Sequence, residues 1–138
     1  KVQEITDELT QQLVSMNGTT LETTGQTPIA GVEWGPRKVG QWVIVVDRER
    51  TMYAFDAGGE LQWRLDNAPA PLSGPPLAIG DRLVLTSTAG EIATVDAKGQ
   101  ILSRQSFGEP FGSGPIAYKG RLLVGGWDGT LFVVNIPQ

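Results

Sequence analysis

The sequence contains no cysteine and no histidine among its 138 residues. These absences exclude disulfide bonds, a Ser-His-Asp triad, a Cys-His nucleophile pair and zinc sites built from His or Cys ligands. The carboxylates that remain are spread through turns, with neither a tight pair nor the spacing of an EF-hand. The sequence therefore predicts no catalytic residues, no metal site and a protein that is not an enzyme.

Basic residues are scarce as well. Eleven Lys and Arg stand against 15 Asp and Glu, which gives a net charge of −4. Phosphate binding needs clustered Lys or Arg, so no nucleic-acid partner is expected. The longest apolar runs, at 42–46 and 131–134, are too short to cross a bilayer, and no signal peptide is visible. A first residue of Lys1 rather than Met is compatible with a processed or excised piece.

The sequence does contain a repeat of about 40 residues, the period of a propeller blade. Each copy has a glycine between two apolar runs, a Gly-Pro pair before it, and an Asp or Asn that closes a later apolar run. The three glycines are Gly40, Gly80 and Gly120; the Gly-Pro pairs begin at Gly35, Gly74 and Gly114; the closing residues are Asp56, Asp96 and Asn135.

Short apolar runs separated by glycine-containing turns predict an antiparallel meander in each copy. The predicted strands are 34–39, 42–47, 51–56 and 60–65, then 75–79, 82–87, 91–96 and 100–106, then 115–118, 121–126 and 130–135. The predicted fold is all-β: a partial β-propeller of about three four-stranded antiparallel blades at 32–70, 71–110 and 111–138. The last blade lacks its fourth strand.

Residues 1–31 form a separate N-terminal segment in this interpretation. Residues 19–24 have strand character and are predicted to complete the last blade; the alternative is that both ends are cut sites in a longer propeller. Upstream, Val2, Ile5, Leu9, Leu13 and Met16 follow helical spacing and predict a short helix. A hairpin of 11–16 and 19–24 around Asn17-Gly18 is the second interpretation.

About three and a half units are fewer than the roughly four to eight blades that close a ring. Exposed apolar faces at the ends of such an arc predict association. The expected solutions are a homodimer that closes a ring, or a place in the C-terminal part of a longer propeller protein.

Residues 52–63, which read Met-Tyr-Ala-Phe-Asp-Ala-Gly-Gly-Glu-Leu-Gln-Trp, closely resemble the PQQ-like, or quinoprotein alcohol dehydrogenase-like, β-propeller repeat. Residues 128–135 are similar to the opening half of that repeat, and 91–99 match it more loosely, with Ser103 where the Trp would be. The resemblance covers residues 34–135. It implies a bacterial protein in the periplasm or another extracytoplasmic place.

The resemblance implies three kinds of protein: quinone-dependent dehydrogenases, scaffold lipoproteins of bacterial outer-membrane assembly, and repeat domains attached to bacterial kinases. In the dehydrogenases, the quinone PQQ stacks on a Trp on the axis of a full ring, beside calcium, an Asp base and commonly a vicinal Cys pair. Because this chain has no Cys and too few blades, we expect no cofactor. Only the family resemblance suggests PQQ as a possible one.

The candidate partner surface consists of aromatic residues near charged ones in repeat position: Trp34, Trp42 and Trp127, with Arg37 and Asp128. Trp127 lies at a predicted hairpin tip. Trp63, in contrast, is expected to lie across a seam between blades and to stabilise the fold. Residues 112–117 fit the pattern G-x-G-x-x-A, but Pro115 and a strand follow where a dinucleotide site needs a helix, so a turn between blades is expected.

These observations favour a non-enzymatic propeller module that binds a protein partner or a second copy of itself. The alternatives are a fragment of a PQQ-dependent oxidoreductase and a sensor domain attached to a bacterial kinase.

Overall fold

The described part of the chain folds into β-strands joined by turns, with no helix. The structure is a computed structural model, and it describes residues 15–17, 20–22 and 26–136. The strands are β1 Ser15–Asn17, β2 Thr20–Glu22, β3 Val32–Val39, β4 Trp42–Asp47, β5 Met52–Phe55, β6 Leu61–Leu65, β7 Leu77–Ile79, β8 Arg82–Thr86, β9 Glu91–Val95, β10 Ile101–Ser106, β11 Ile116–Tyr118, β12 Arg121–Gly125 and β13 Leu131–Asn135. The chain divides into two compact units, Lys1–Asn67 and Ala68–Gln138.

The first unit contains a two-stranded antiparallel pair, β1 with β2, and one four-stranded sheet in the order β3-β4-β5-β6, here called blade 1. Residues 15 and 16, the end of the predicted N-terminal helix, belong to β1; the rest of that helix prediction lies outside the described residues. Among the described residues, β2 pairs with β1. The closure of the last blade by residues 19–24 stays a prediction.

Blade 1 buries an apolar face because alternate residues of its central strands point to the same side of the sheet. On this side, Val45 of β4 lies opposite Tyr53 of β5, and Val43 lies opposite Phe55. Ile29, from the segment before β3, completes this cluster. The Tyr53 and Phe55 rings are stacked with centroids 6.5 Å apart.

The second unit contains two sheets that confirm the predicted meanders. Blade 2 has the strand order β10-β9-β8-β7, and blade 3 has the order β11-β12-β13. Every neighbouring pair is antiparallel. As predicted, blade 3 has three strands where blades 1 and 2 have four.

Blades 2 and 3 pack face to face around a cluster of aromatic and branched side chains. Val84 and Ile92 of blade 2 meet Leu122 and Val124 of blade 3, and the fully buried Phe111 lies in the same cluster. The ring of Phe111 is 5.3 Å from that of Phe132 and 5.9 Å from that of Phe107, both in tilted or edge-on orientations that favour aromatic pairs.

The repeated Gly-Pro sites mark a close approach of backbones between blades 2 and 3. A Cβ atom on Gly74 would overlap the backbone nitrogen of Gly114, and one on Gly114 would lie 2.9 Å from the carbonyl oxygen of Pro75. The Ser73 hydroxyl donates a hydrogen bond of 2.6 Å to the carbonyl of Ser113 at the same point. Gly114 therefore belongs to a junction between blades, as predicted, and not to a dinucleotide loop.

Aspartates close the turns before the fourth strands of blades 1 and 2. The Oδ1 atom of Asp96 accepts N–H groups from Lys98 and Gln100 at 2.8 and 2.9 Å, and Asp56 does the same for Gly58 and Glu60. These bonds form Asx-turns directly after the apolar runs that the two aspartates close. The N–H of Gln100, followed by that of Lys98, lowers the pKa of Asp96, because both stabilise its charged form.

The described part of the chain contains no helical segment with the length and hydrophobicity of a membrane span.

Because Gly74 lies against the backbone of a neighbouring loop, any side chain at this position should destabilise the fold. Gly74→Ala should lower the free energy of unfolding by about 1–3 kcal/mol, because the methyl group must displace backbone of blade 3. Gly58→Ala is the matched control, since a Cβ there meets only Asp56 Oδ1 at 3.4 Å. Urea denaturation measures both variants, and an equal effect of the two substitutions would contradict the close approach.

The Asp96 turn predicts a pH dependence. Because its pKa in the folded chain is lowered, its carboxylate stabilises the fold above the unfolded-state pKa of about 3.9, and this contribution is lost as the pH falls through the lower folded pKa. The free energy of unfolding of the parent chain should therefore decline more steeply than that of Asp96→Asn between about pH 5 and 2. Identical slopes would show that the turn does not favour the charged form.

Candidate functional site

Trp34 and Arg37 lie together on β3, as their proximity in the repeat suggested. The pairing of β3 with β4 is irregular on both sides of Trp34, and the Gly35–Pro36 peptide between the two residues is cis. The guanidinium carbon of Arg37 lies 5.7 Å from the centroid of the half-buried Trp34 ring. This cation–π contact keeps an exposed positive charge over an aromatic face.

Trp42 contacts Trp63, the residue that we expected from the sequence to stabilise the fold. The two ring centroids are 6.1 Å apart with an interplanar angle of 77°, an edge-to-face pair. Trp63 is 7% exposed and lies opposite Ala54 on the neighbouring strand. Its indole nitrogen is buried without a hydrogen-bond partner among the described residues, so packing alone holds the ring there. Whether it also lies across a seam between blades stays a prediction.

Trp127 and Asp128 occupy the tip of the hairpin between β12 and β13. The side chain of Trp127 is 71% exposed, and the ring has the backbone of Gly112 beside it. Asp128 Oδ1 accepts the backbone N–H of Thr130 at 3.0 Å, and this N–H, followed by the Thr130 side chain, lowers the pKa of Asp128. The carboxylate therefore closes its own turn.

The five predicted surface residues form separate groups. Trp34, Arg37 and Trp42 belong to the first unit, and Trp127 and Asp128 belong to the second. Within the first unit the structure pairs Trp34 with Arg37, but it pairs Trp42 with Trp63.

The residues around Trp127 do not fit a quinone cofactor. A stacking floor must be held inside a shielded cavity, whereas this ring projects from a hairpin tip. The Asp128 side chain is already engaged by Thr130, and the sequence has no Cys to form a vicinal pair. In the described part of the chain, no three carboxylate, His or Cys side chains come together as metal ligands.

A buried carboxylate that sequence reasoning missed is Asp47, at the end of β4. Its Oδ1 accepts the N–H groups of Glu49 and Thr51 at 2.9 Å, and its Oδ2 accepts the Tyr53 hydroxyl at 3.1 Å. Burial, followed by the charge of Asp47, raises the pKa of Tyr53. All of these bonds hold the turn between β4 and β5, so the contact between Asp47 and Tyr53 is structural.

The sequence predicts exposed apolar faces without naming their residues, and the structure shows one such apolar face on blade 3. It consists of Ile116, Tyr118, Leu123, Leu131 and Val133. The register places all five on one side of the sheet, because Ile116 pairs with Leu123, and Leu123 pairs with Val133. Ile116, Tyr118, Leu131 and Val133 are 53–60% exposed, far more than core residues of the other blades.

The repeat shows what this face corresponds to in blade 2. The cross-strand pair Leu77–Val84 of blade 2 takes the place of the pair Ile116–Leu123 in blade 3. In blade 2 that side is covered by blade 3. In blade 3 it borders an open groove of about 380 Å³, with Lys119 and Arg121 at its margin. From the sequence we expected uncovered apolar faces at the ends of the array of blades, and the structure identifies the residues of this one.

The two environments of tryptophan predict a clear difference in stability. Trp63→Ala should lower the free energy of unfolding by about 3–5 kcal/mol, because it empties a buried site. Trp127→Ala should change it by about 0.5 kcal/mol or less, because most of the ring is in solvent. Chemical denaturation of both variants tests the difference, and equal large losses would contradict it.

Comparison with known proteins agrees with this architecture. The family model described as "Outer membrane protein assembly factor BamB" matches residues 8–136. No curated protein matches the sequence. The crystal structure of BamB from Moraxella catarrhalis is similar over 72% of this chain and 30% of its own, with 21% identity and a TM-score of 0.59.

Two computationally designed proteins are also similar. Ika4 matches 73% of this chain and 64% of its own at 17% identity, with a TM-score of 0.60. Ika8 matches 85% of this chain and 36% of its own at 16% identity, with a TM-score of 0.58. The chain thus spans less than a third of the BamB structure, and at these identities the structures show the fold alone. Together with the family model, which covers most of the chain, they show a partial β-propeller that belongs to the PQQ-like β-propeller repeat family of the outer membrane protein assembly factor BamB.

Proposed function

We propose that the chain is a non-enzymatic binding module whose partner is a protein and whose main contact is the apolar face of blade 3. The observation that carries the proposal is the exposure of Ile116, Tyr118, Leu131 and Val133 on one side of one sheet. A contiguous apolar surface of this kind marks an interaction site in soluble proteins.

The chemistry of the face favours another β-sheet as its partner. In blade 2 the corresponding side is covered by a sheet that presents Leu122, Val124 and Phe132. A second copy of this chain, or a neighbouring propeller blade, supplies a surface of the same kind. A homodimer that closes a ring is the simplest form of this contact.

Membership of the BamB family supports a binding role over catalysis, because the family model is described as an assembly factor of outer membrane proteins. That description also supports an extracytoplasmic location. The sequence supports the same ranking, since without Cys or His it lacks the common nucleophile and base pairs. We expect the module to act without a cofactor.

Substitution within the apolar face tests the proposal. The parent chain should associate in light scattering, with a mass that rises above 14.8 kDa as its concentration rises. Leu131→Lys should weaken this association about tenfold or more, because the contact would bury an unpaired charge. Leu102→Lys is the matched control, because Leu102 is an exposed apolar residue of β10 outside the face.

Three results would contradict the proposal. The first is a mass of 14.8 kDa at every concentration, and the second is equal association of Leu131→Lys and the parent chain. The third is dye-linked dehydrogenase activity after addition of PQQ and calcium, which would instead support an oxidoreductase.

A further inference from the structure

The hairpin tip between β12 and β13 carries a tryptophan side chain that the fold does not use. At the first position of this tip the three blades make the same backbone contact. The N–H of Arg48 in blade 1, of Thr88 in blade 2 and of Trp127 in blade 3 each donates to a carbonyl of the segment that precedes its blade, at 2.9, 2.9 and 3.1 Å. Because the backbone makes this contact, three unlike side chains serve it, and the indole of Trp127 has no structural task there.

Exposure is a property of the tips and not of Trp127 alone. In blade 2, Thr88 is half-buried and Ala89 is exposed, although blade 3 packs against that blade. In blade 1, Arg48 and Glu49 are exposed as well. A side chain at a tip therefore stays accessible beside a neighbouring sheet, and Trp127 presents its ring to solvent in the same way.

A well-bonded turn presents the ring of Trp127. The N–H of Gly126 donates to the carbonyl of Thr130 at 2.7 Å, and Asp128 Oδ1 accepts the N–H of Thr130 at 3.0 Å. One side of the ring lies against the backbone at Gly112, where a Cβ atom would be 3.7 Å from the indole. The indole is thus held in place before a partner arrives, which lowers the cost of ordering it on binding.

Two carboxylates accompany the ring. Asp128 follows Trp127 directly, and the N–H of Thr130, which lowers the pKa of Asp128, keeps this side chain ionised at neutral pH. Glu109 precedes Pro110, whose carbonyl accepts the N–H of Trp127. The Glu109 side chain is exposed and forms no ion pair with any described residue. This end of blade 3 is therefore negatively charged.

In the described part of blade 3, both positive charges lie at the opposite end from this tip. Lys119 precedes β12 and Arg121 begins it, whereas Trp127 follows the end of that strand. On the neighbouring β10, Arg104 is paired with Glu91 at 2.8 Å. The cation–π contacts among the described residues leave the Trp127 ring open. An exposed indole beside carboxylates is complementary to a cationic side chain.

Blade 1 contains the arrangement that such a ligand would complete. The guanidinium carbon of Arg64 lies 5.9 Å from the centroid of the Tyr53 ring, and its Nη2 atom is 2.8 Å from Oδ1 of Asp66. An aromatic face and a carboxylate thus share one arginine on the surface of this protein. The tip of blade 3 has the ring and the carboxylates without the arginine.

We propose that the tip formed by Trp127, Glu109 and Asp128 binds an arginine side chain from a flexible basic segment of a partner protein. The planar guanidinium stacks on the open face of the indole and donates hydrogen bonds to Glu109, while the charge of Asp128 adds attraction. The net charge of −4 favours the approach of a basic segment. The inference goes beyond the proposed function, because it uses other side chains than the apolar face and a contact made by charge and stacking.

A peptide titration followed by NMR tests the proposal. The probe is Gly-Arg-Gly-Arg-Gly with both ends blocked, added at low salt to the ¹⁵N-labelled full chain, since salt screens exposed charges. The four tryptophans should give four indole N–H signals, and the one missing from Trp127→Phe belongs to Trp127. This signal should move saturably with the probe. The same peptide with citrulline for arginine, which keeps the shape and lacks the charge, should bind about tenfold or more weakly.

Two matched substitutions measure the part of the carboxylate. Glu109→Gln should weaken binding of the probe about threefold or more, because charge-assisted hydrogen bonds to the guanidinium are lost. Glu49→Gln is the control, since it removes the same charge from an exposed tip where Arg48 takes the place of the tryptophan. It should leave the affinity within about 1.5-fold, because exposed charges that are far apart are screened.

Three results would overturn the proposal. They are a Trp127 signal that does not move saturably, equal binding of the arginine and citrulline peptides, and equal losses in Glu109→Gln and Glu49→Gln. None of them changes the light-scattering result expected for Leu131→Lys, so failure of this inference is distinguishable from failure of the proposed function.

Discussion

The central strands of blade 2 carry apolar residues on both sides of the sheet, and burial of these residues stabilises the fold. On one side, blade 2 buries them by packing against blade 3 around the fully buried Phe111. Burial of one such ring stabilises the folded state by roughly 1.5–3 kcal/mol relative to exposure. The face-to-face contact therefore determines where blade 3 lies, and which of its own surfaces remain free.

The distance between the two blades is set by backbone as well as by side chains. Gly74 and Gly114 allow two loops to approach more closely than any residue with a Cβ would permit. The hydrogen bond from Ser73 to Ser113 holds them there. This close junction and the aromatic cluster between the sheets together fix how blades 2 and 3 pack.

The proposed function uses a surface that the repeat itself creates. Blade 2 packs against blade 3 on one side, and blade 3 carries the same apolar pattern on its other side. Binding through that surface continues contacts already present within the chain. No separate catalytic apparatus is needed for it, which agrees with the scarcity of suitable side chains and with membership of the BamB family.

Much of this architecture could be predicted from the sequence, because it depends on local chemistry. Alternating apolar residues indicated the strands, and Asp96 marked the end of an apolar run, where its Oδ1 does close a turn. The recurrence of Gly-Pro pairs indicated junctions between blades. The candidate site was less predictable: the tryptophans chosen for their type fall into separate groups, and Trp42 turned out to pack on Trp63.

The sequence alone determined which residues share a side of each sheet, since strand periodicity is a property of the backbone. Only the tertiary structure decided which sides are covered. Ile92 and Leu131 follow the same alternation in neighbouring repeats, yet one is buried and the other is 58% exposed. The difference arises because burial depends on the presence of a neighbouring sheet, and that is a property of the packed chain that no residue encodes by itself.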